Sequence, residues 1–373
     1  MIEPNHILKA APFALSLTLI PLMWIGGLYG GWTVFLVPLA SWALYPVLDA
    51  AFGLNEANAD PETSDTALLW HRIITWIWGP LQIVTVFGVI ALVVRSDFAL
   101  WESLVITFGL GIVSGAVGIV YAHELMHQGP AFERRLGDLL MTSVMYGHFR
   151  SEHLLVHHRY VCTPRDPVTA RYNEGFYRFF FRVLGQCLVS AWRAEAGKLA
   201  KVGLPFWVRA NPFWRYAILQ AGFVCFAALI GGWFGVALFL LHAFVAIWQL
   251  ELINYIEHYG LTRKHLGDGK YEHVQPKHSW NASHRVSNWF LINLQRHSDH
   301  HYKPDRRFPL LQTHGADDAP QLPFGYAVMG SLAMVPPLWR RRMNPRVRAW
   351  RRQFYPDIED WTPYKTGALP MPH

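Results

Sequence analysis

The chain has 373 residues, 52% of them hydrophobic and 16% charged, with a formal net charge of +7. That charge fraction is well below the roughly 25% usual for soluble domains, and long apolar runs account for the gap; an ordinary soluble domain is excluded and an integral membrane protein is indicated. The three cysteines, Cys162, Cys187 and Cys225, lie in unrelated segments; they suggest no disulfide framework and are too few for a four-thiolate iron–sulfur centre, so electrons, if the chemistry needs them, come from another protein.

In chain order, Glu3 and Lys9 precede an apolar run without a basic leader or a small-x-small cleavage pattern, and the expectation is an uncleaved first span at 11–29. Gly30 and Gly31 turn the chain into a second span at 32–54. An acidic linker at 55–66 leads to spans at 76–94 and 101–121, separated by Arg95-Ser96-Asp97. A polar region, 122–211, precedes a hairpin of spans at 214–231 and 233–253 joined at Gly231-Gly232. The remainder, 254–373, is polar and basic. Each span is near the ~20 residues that cross ~30 Å of hydrocarbon. Of 33 lysines and arginines, twelve fall in 122–211 and seventeen after 254. The positive-inside rule places both regions and both termini in the cytoplasm, with the acidic linker a mild exception. Two weaker apolar stretches, 176–190 and 324–339, contain arginines or paired prolines and are predicted as interfacial or re-entrant helices. The expectation is one all-α domain over 1–373: a six-transmembrane-helix bundle carrying a cytoplasmic helical cap.

Histidines concentrate in that cap. His123 and His127 are four apart, prolonging the fourth span by a turn. His153, His157 and His158 form a second group and His297, His300 and His301 a third, while His258 stands just beyond the last span. Residues at i, i+3 and i+4 share a helix face, and neutral imidazole is the commonest protein ligand for mid-series transition metals. One such group is equally readable as a solvated histidine-rich turn. Nine candidate ligands repeated in this way exceed what one ion uses, and a two-metal, all-histidine site follows. His123 and His127 share a face and so one ion. His157 and His158 diverge by about 100° in a helix and share the second ion only if the helix is distorted there. Glu124, Glu152, Asp166, Glu257 and Asp299 adjoin the groups and suit the orienting of ligand rings, with direct ligation or plain surface charge as the alternatives. His273 and His278, with His148 and His284, sit close enough for the same supporting role. His6, His71, His242, His265, His314 and His373 lack ligand spacing and read as structural or solvated.

His-Glu-Leu-Met-His also fits a zinc-protease pattern, which needs only one further ligand and leaves seven clustered histidines unexplained. A metal transporter would place its ligands near the bilayer midplane, whereas these spans hold only His242. Iron suits neutral imidazole ligation with open positions for dioxygen, and a site on top of a helix bundle admits an apolar substrate from the lipid. The residues therefore point to an iron oxygenase or desaturase acting on hydrocarbon chains.

The segments His123–His127 and Glu152–Arg159, together with Asn254-Tyr-Ile-Glu-His-Tyr-Gly-Leu261 and Leu294-Gln-Arg-His-Ser-Asp-His-His301, resemble the histidine boxes of the integral-membrane alkane 1-monooxygenases. Tyr271-Glu-His-Val-Gln-Pro-Lys-His-Ser-Trp-Asn281 resembles that family too, and the likeness runs from the second span to beyond residue 330. The resemblance implies terminal hydroxylation of n-alkanes by dioxygen, with rubredoxin and its reductase delivering electrons. It also implies two non-haem iron ions held by the nine histidines, with no catalytic residue beyond the metal site, in a multi-pass protein of the bacterial inner membrane. The partners implied are alkane, dioxygen, rubredoxin and membrane lipid, and no nucleic acid. No rubredoxin domain follows in the sequence, so the donor is expected on a separate chain or in a further fused segment. The basic run Arg340, Arg341, Arg342, Arg346 and Arg348 suits an acidic donor or, equally, lipid headgroups. A related di-iron desaturase, or a fatty-acyl or aromatic-methyl hydroxylase, is the alternative. If the fourth span is α-helical up to His123, then Phe108, Ile112, Gly115, Ala116 and Ile119 lie beneath that ligand on one face, as a substrate-channel wall or a helix-packing stripe.

Overall fold

The computed structural model describes residues 4–366, and all of its long elements are helices. Five are long and apolar enough to cross a membrane: His6–Tyr29, Gly31–Phe52, Leu69–Arg95, Leu100–His127 and Pro212–His258. The first four coincide with predicted spans, and the fourth continues through His123 to His127. The fifth differs from the prediction of two spans, because it forms one element of 47 residues. A straight helix of that length would measure about 70 Å, more than twice the hydrocarbon core. It is not straight. Gly231 (φ −146°, ψ 22°) and Gly232 (φ 56°, ψ −143°) leave helical geometry, and the positive φ at Gly232 is one a side chain would resist. Phe87 of the third span packs against Phe223 and Phe226 from before the bend and Phe239 from after it. The two halves therefore lie side by side against one neighbour.

The polar segments fold over one end of these helices. Helix Phe176–Ala200 extends the predicted 176–190 stretch; it buries Phe176, Phe179, Val183 and Cys187 and exposes Phe181, Leu188 and Trp192 on its other flank. The 324–339 stretch splits into Tyr326–Ala333 and Pro336–Phe354. The paired prolines start the second helix, where a missing N–H costs nothing. The only strands among the described residues are the short antiparallel pair His265–Gly267 and Lys270–Tyr271.

The acidic linker has a structural role invisible in its charge count. Arg296 donates to the carbonyls of Asn55 (3.2 Å) and Ala57 (2.9 Å). Arg307 pairs with Asp65 at 2.7 Å and with buried Glu133 at 3.2 Å, and Glu133 also holds Arg72 at 3.0 Å. The linker is thus bound to the segment that carries the third histidine group, some 240 residues away in sequence.

The stripe beneath His123 is not one face. A π turn at Val113–Ile119 inserts an extra residue into the fourth span, which rotates the later residues out of α register. Ile112, Gly115 and Ile119 are buried, and a Cβ on Gly115 would lie 2.8 Å from the Ala246 Cα and O. Gly115 is therefore a helix–helix contact and not an open wall. Ala116 is half-buried and lines a small apolar cavity of about 60 Å³ with Trp42, Tyr45, Ile253, Ile256 and Phe290; Phe108 stacks edge-on against Trp42. Gly115→Leu is expected to lower stability by about 1–3 kcal/mol, as overpacking does. Thermal melts in detergent beside Ala116→Leu check this, and an unchanged melt for Gly115→Leu would contradict the packing assignment.

Candidate metal centre

The three groups and His258 converge at the end of the bundle and sort into two sets. His123, His127, His153, His158 and His300 form one, and His157, His258, His297 and His301 the other; within each set one nitrogen per residue lies within 4.8 Å of all the rest. In the first set the Nε2 atoms of His127 and His153 are 3.0 Å apart, those of His153 and His158 2.9 Å, and those of His158 and His300 3.1 Å. In the second, His297 Nε2 is 3.2 Å from His258 Nε2 and 3.0 Å from His301 Nε2. The sets touch: the rings of His158 and His301 are 4.6 Å apart.

Local backbone geometry makes this sorting. The fourth span ends in a regular helix, so His123 and His127 at i and i+4 share a face, as expected. The short helix over 149–160 is distorted. Residues His153–His157 form a π turn, in which the His158 N–H reaches the His153 carbonyl five residues back. That wide turn aligns His153 with His158 and sends His157 to the opposite side. Distortion is the condition for His157 and His158 to share an ion; the distortion is present, and it places them in different sets. Helix His297–Tyr302 divides likewise, His300 going to the first set and His297 and His301, at i and i+4, to the second.

The chemistry of these atoms fits a cation. Seven of the nine residues are buried, His127 and His158 being half-buried. Burial first, and then their mutual proximity, pushes His153, His158, His297, His300 and His301 well below the ordinary imidazole value of 6.5. Neutral imidazole is the form that binds a metal. The orientation of His157 is fixed by a separate contact. Its Nδ1 lies 3.0 Å from Asp166 Oδ2 while its Nε2 is buried with no hydrogen-bond partner. A carboxylate on Nδ1 fixes the tautomer that leaves Nε2 free to bind a metal. Burial raises Asp166, but His157 and Thr169 outweigh it, and the carboxyl lies below its usual range.

The other candidate supporting residues are distributed unevenly. Glu257 Oε2 lies 3.2 Å from His297 Nε2, and its Oε1 accepts from the Tyr326 hydroxyl at 2.8 Å. Glu152 is fully buried with both carboxylate oxygens unpartnered, and burial pushes it well up. Glu124 holds Gln128, and Asp299 binds Arg306, His314 and the Gln312 N–H; neither bonds a clustered histidine. His278 bonds Tyr355 and Glu272, and His273 is exposed and belongs to neither set. His148 packs on Tyr146, and His242 is satisfied by Ser114 and the Phe239 carbonyl. Sequence reading did not find Tyr326 or the Arg296 and Arg307 anchors. Only a lone arginine before the third histidine group hinted at the latter.

The family model for fatty acid desaturases matches residues 98–333, the stretch that carries all nine histidines. Alkane 1-monooxygenase 1 of Pseudomonas aeruginosa is 41% identical over 324 residues, covering 86% of this chain and 84% of that one. Alkane 1-monooxygenase 2 of Alcanivorax borkumensis is 35% identical over 362 residues, covering 93% and 94%. The xylene/toluene monooxygenase hydroxylase component XylM of Pseudomonas putida is more distant, 27% identical over 342 residues.

Two outcomes follow from the geometry. Asp166→Ala should weaken metal binding at the His157 set by about 10–100-fold while sparing the His123 set, since only His157 loses its orienting carboxylate. Stepwise chelation followed by metal analysis reads this, and equal loss from both sets would refute it. The depressed imidazoles also fix a pH dependence. Each is neutral in the fold and gains a proton near 6.5 when unfolded, so the stability they confer is present above about pH 6.5 and is lost as pH falls below it. Melts of metal-free protein from about pH 8 to about pH 5 should show a falling midpoint.

Proposed function

The chain belongs to the alkane 1-monooxygenase family, within the wider fatty acid desaturase family, and from that premise we propose that it hydroxylates the terminal carbon of medium-chain n-alkanes to 1-alkanols. The observation that carries the proposal is two all-histidine sets in contact at the end of an apolar helix bundle. The cofactor is two non-haem irons, one per set, which when bound supply dioxygen activation. Placing one oxygen atom in a C–H bond and reducing the other to water consumes two electrons and two protons. Rubredoxin, recharged by its reductase, delivers the electrons.

This chain's own residues do the remaining work. Nine imidazoles provide the ligand field without bridging carboxylates, unlike soluble di-iron bundles. Asp166 orients His157, and Tyr326 fixes the Glu257 carboxylate beside His297. The substrate approaches through the apolar cavity between Trp42, Ala116 and Ile256, a position two residues before His258. At about 60 Å³ the cavity is one point on that path and does not enclose the chain; positioning by shape along the path would select the terminal methyl without a polar handle. The bend at Gly231-Gly232 supports six spans, and the arginine-rich segments support a cytoplasmic, inner-membrane location for the histidine-bearing cap.

The related reading as an aromatic-methyl hydroxylase draws on the distant XylM likeness; the higher identities favour alkanes. Purified protein given iron, rubredoxin, its reductase, NADH and octane should form 1-octanol, and formation of an alkene or no product would refute the reading. Ala116→Leu should shorten the longest alkane accepted while sparing short ones. A uniform loss across chain lengths would remove the cavity from the substrate path.

A further inference from the structure

A large concavity lies away from the histidine sets. A cleft of about 1010 Å³ opens between the loop 159–172 and one flank of helix Phe176–Ala200. Six of its lining residues are cationic and have no carboxylate within 4.0 Å among the described residues: Arg159, Arg165, Arg171, Arg193, Lys201 and Arg351. The other two cations in the lining are already neutralised, Arg182 by Glu174 at 2.8 Å and Lys198 by Glu195 at 3.8 Å. The only acid on the wall, Asp166, is buried and turned inward to His157 and Thr169.

Aromatic faces, not carboxylates, hold several of these cations. Arg165 lies 4.3 Å from the Tyr160 ring, and Arg351 lies 4.4 Å from Trp361 and 4.6 Å from Tyr172. Arg351 is 7% exposed, and its Nε has no hydrogen-bond partner. Burial, followed by repulsion from Arg182, lowers Arg171 from its ordinary value. Four of the six, Arg159, Arg171, Arg193 and Lys201, are exposed along the cleft, while Arg165 is half-buried and Arg351 buried. Six converging on one concavity repel one another until an anion enters.

Size and setting select the anion. The volume is at the upper limit of small-molecule sites, roughly 300–1,000 Å³. A docking protein instead needs about 800 Å² of matching surface, which a re-entrant cleft does not offer. The adjoining flank of the same helix exposes Phe181, Leu188 and Trp192, and Val189 belongs to the cleft wall itself. A headgroup in the cleft thus has an apolar surface beside it for its chains. We propose that this cleft is a binding site for the phosphate headgroup of an anionic phospholipid, with the acyl chains along the exposed flank of helix Phe176–Ala200. Three of the six cations, Arg159, Arg165 and Arg171, lie on the loop that carries Asp166, so the bound lipid ties down the segment that orients His157.

The test uses the full chain in nanodiscs and native mass spectrometry. Phosphatidylglycerol should be retained over phosphatidylcholine and should raise the melting temperature. In Arg171→Glu/Arg193→Glu that preference should fall about tenfold or more. Arg340→Glu/Arg341→Glu, on helix Pro336–Phe354 and outside the cleft, should keep it. Inorganic phosphate at matched concentration should not reproduce the protection. The proposal is overturned if the wild type holds both lipids equally, if the cleft variant retains its preference, or if free phosphate suffices. It is also overturned if the cleft variant keeps its lipid but loses the salt dependence of reduction by rubredoxin, which would make the cleft a protein-docking surface.

Discussion

Nine imidazole nitrogens converge in a space from which water is almost excluded, and the rest of the fold is arranged so that this is tolerable. Ring nitrogens lie about 3 Å apart within both sets, and the buried Nδ1 atoms of His153, His158, His258, His297 and His301 have no hydrogen-bond partner, an arrangement that burial disfavours. Protonation does not relieve it, because a charged ring would be desolvated and surrounded by its own kind. A cation bound between the facing nitrogens of each set would satisfy them together.

Such a cluster holds its shape only if its backbone cannot relax outward. The segments that carry the ligands come from four distant parts of the chain, and the second and third histidine groups are restrained by buried polar contacts. Arg296 ties the third histidine group to the linker between the second and third spans, and Arg307 ties it to Asp65 and Glu133. Asp166 holds His157 from the opposite side. Truncating one partner in such a network strands a buried charge, so the polar cap is rigid for the same reason that it is costly to alter.

The two sets are not equivalent. The first has five imidazoles and lies over the end of the fourth span; the second has four, a carboxylate oxygen from Glu257 beside it and an orienting aspartate behind it. The two sets therefore differ in ligand number and in charge environment.

Much of this was legible in the sequence. Apolar runs near the length of a bilayer crossing marked the spans, because hydrocarbon demands continuous hydrogen-bonded apolar helix. Histidines repeating at i and i+4 marked the site, because ligands for one ion must share a face. Paired glycines marked the hairpin bend between Phe223 and Phe239. Which histidines belong together was not legible. That depends on a π turn at His153–His157, a backbone irregularity with no residue signature, which aligns positions five apart and separates neighbours. A second π turn at Val113–Ile119 defeated the α-periodic reading of the stripe below His123 and left Gly115 against Ala246. The anchoring of the acidic linker by Arg296 and Arg307 also lay beyond reach. Local pattern reports what one segment prefers, whereas these contacts join residues about 240 positions apart, and only the folded chain decides which distant charge meets which.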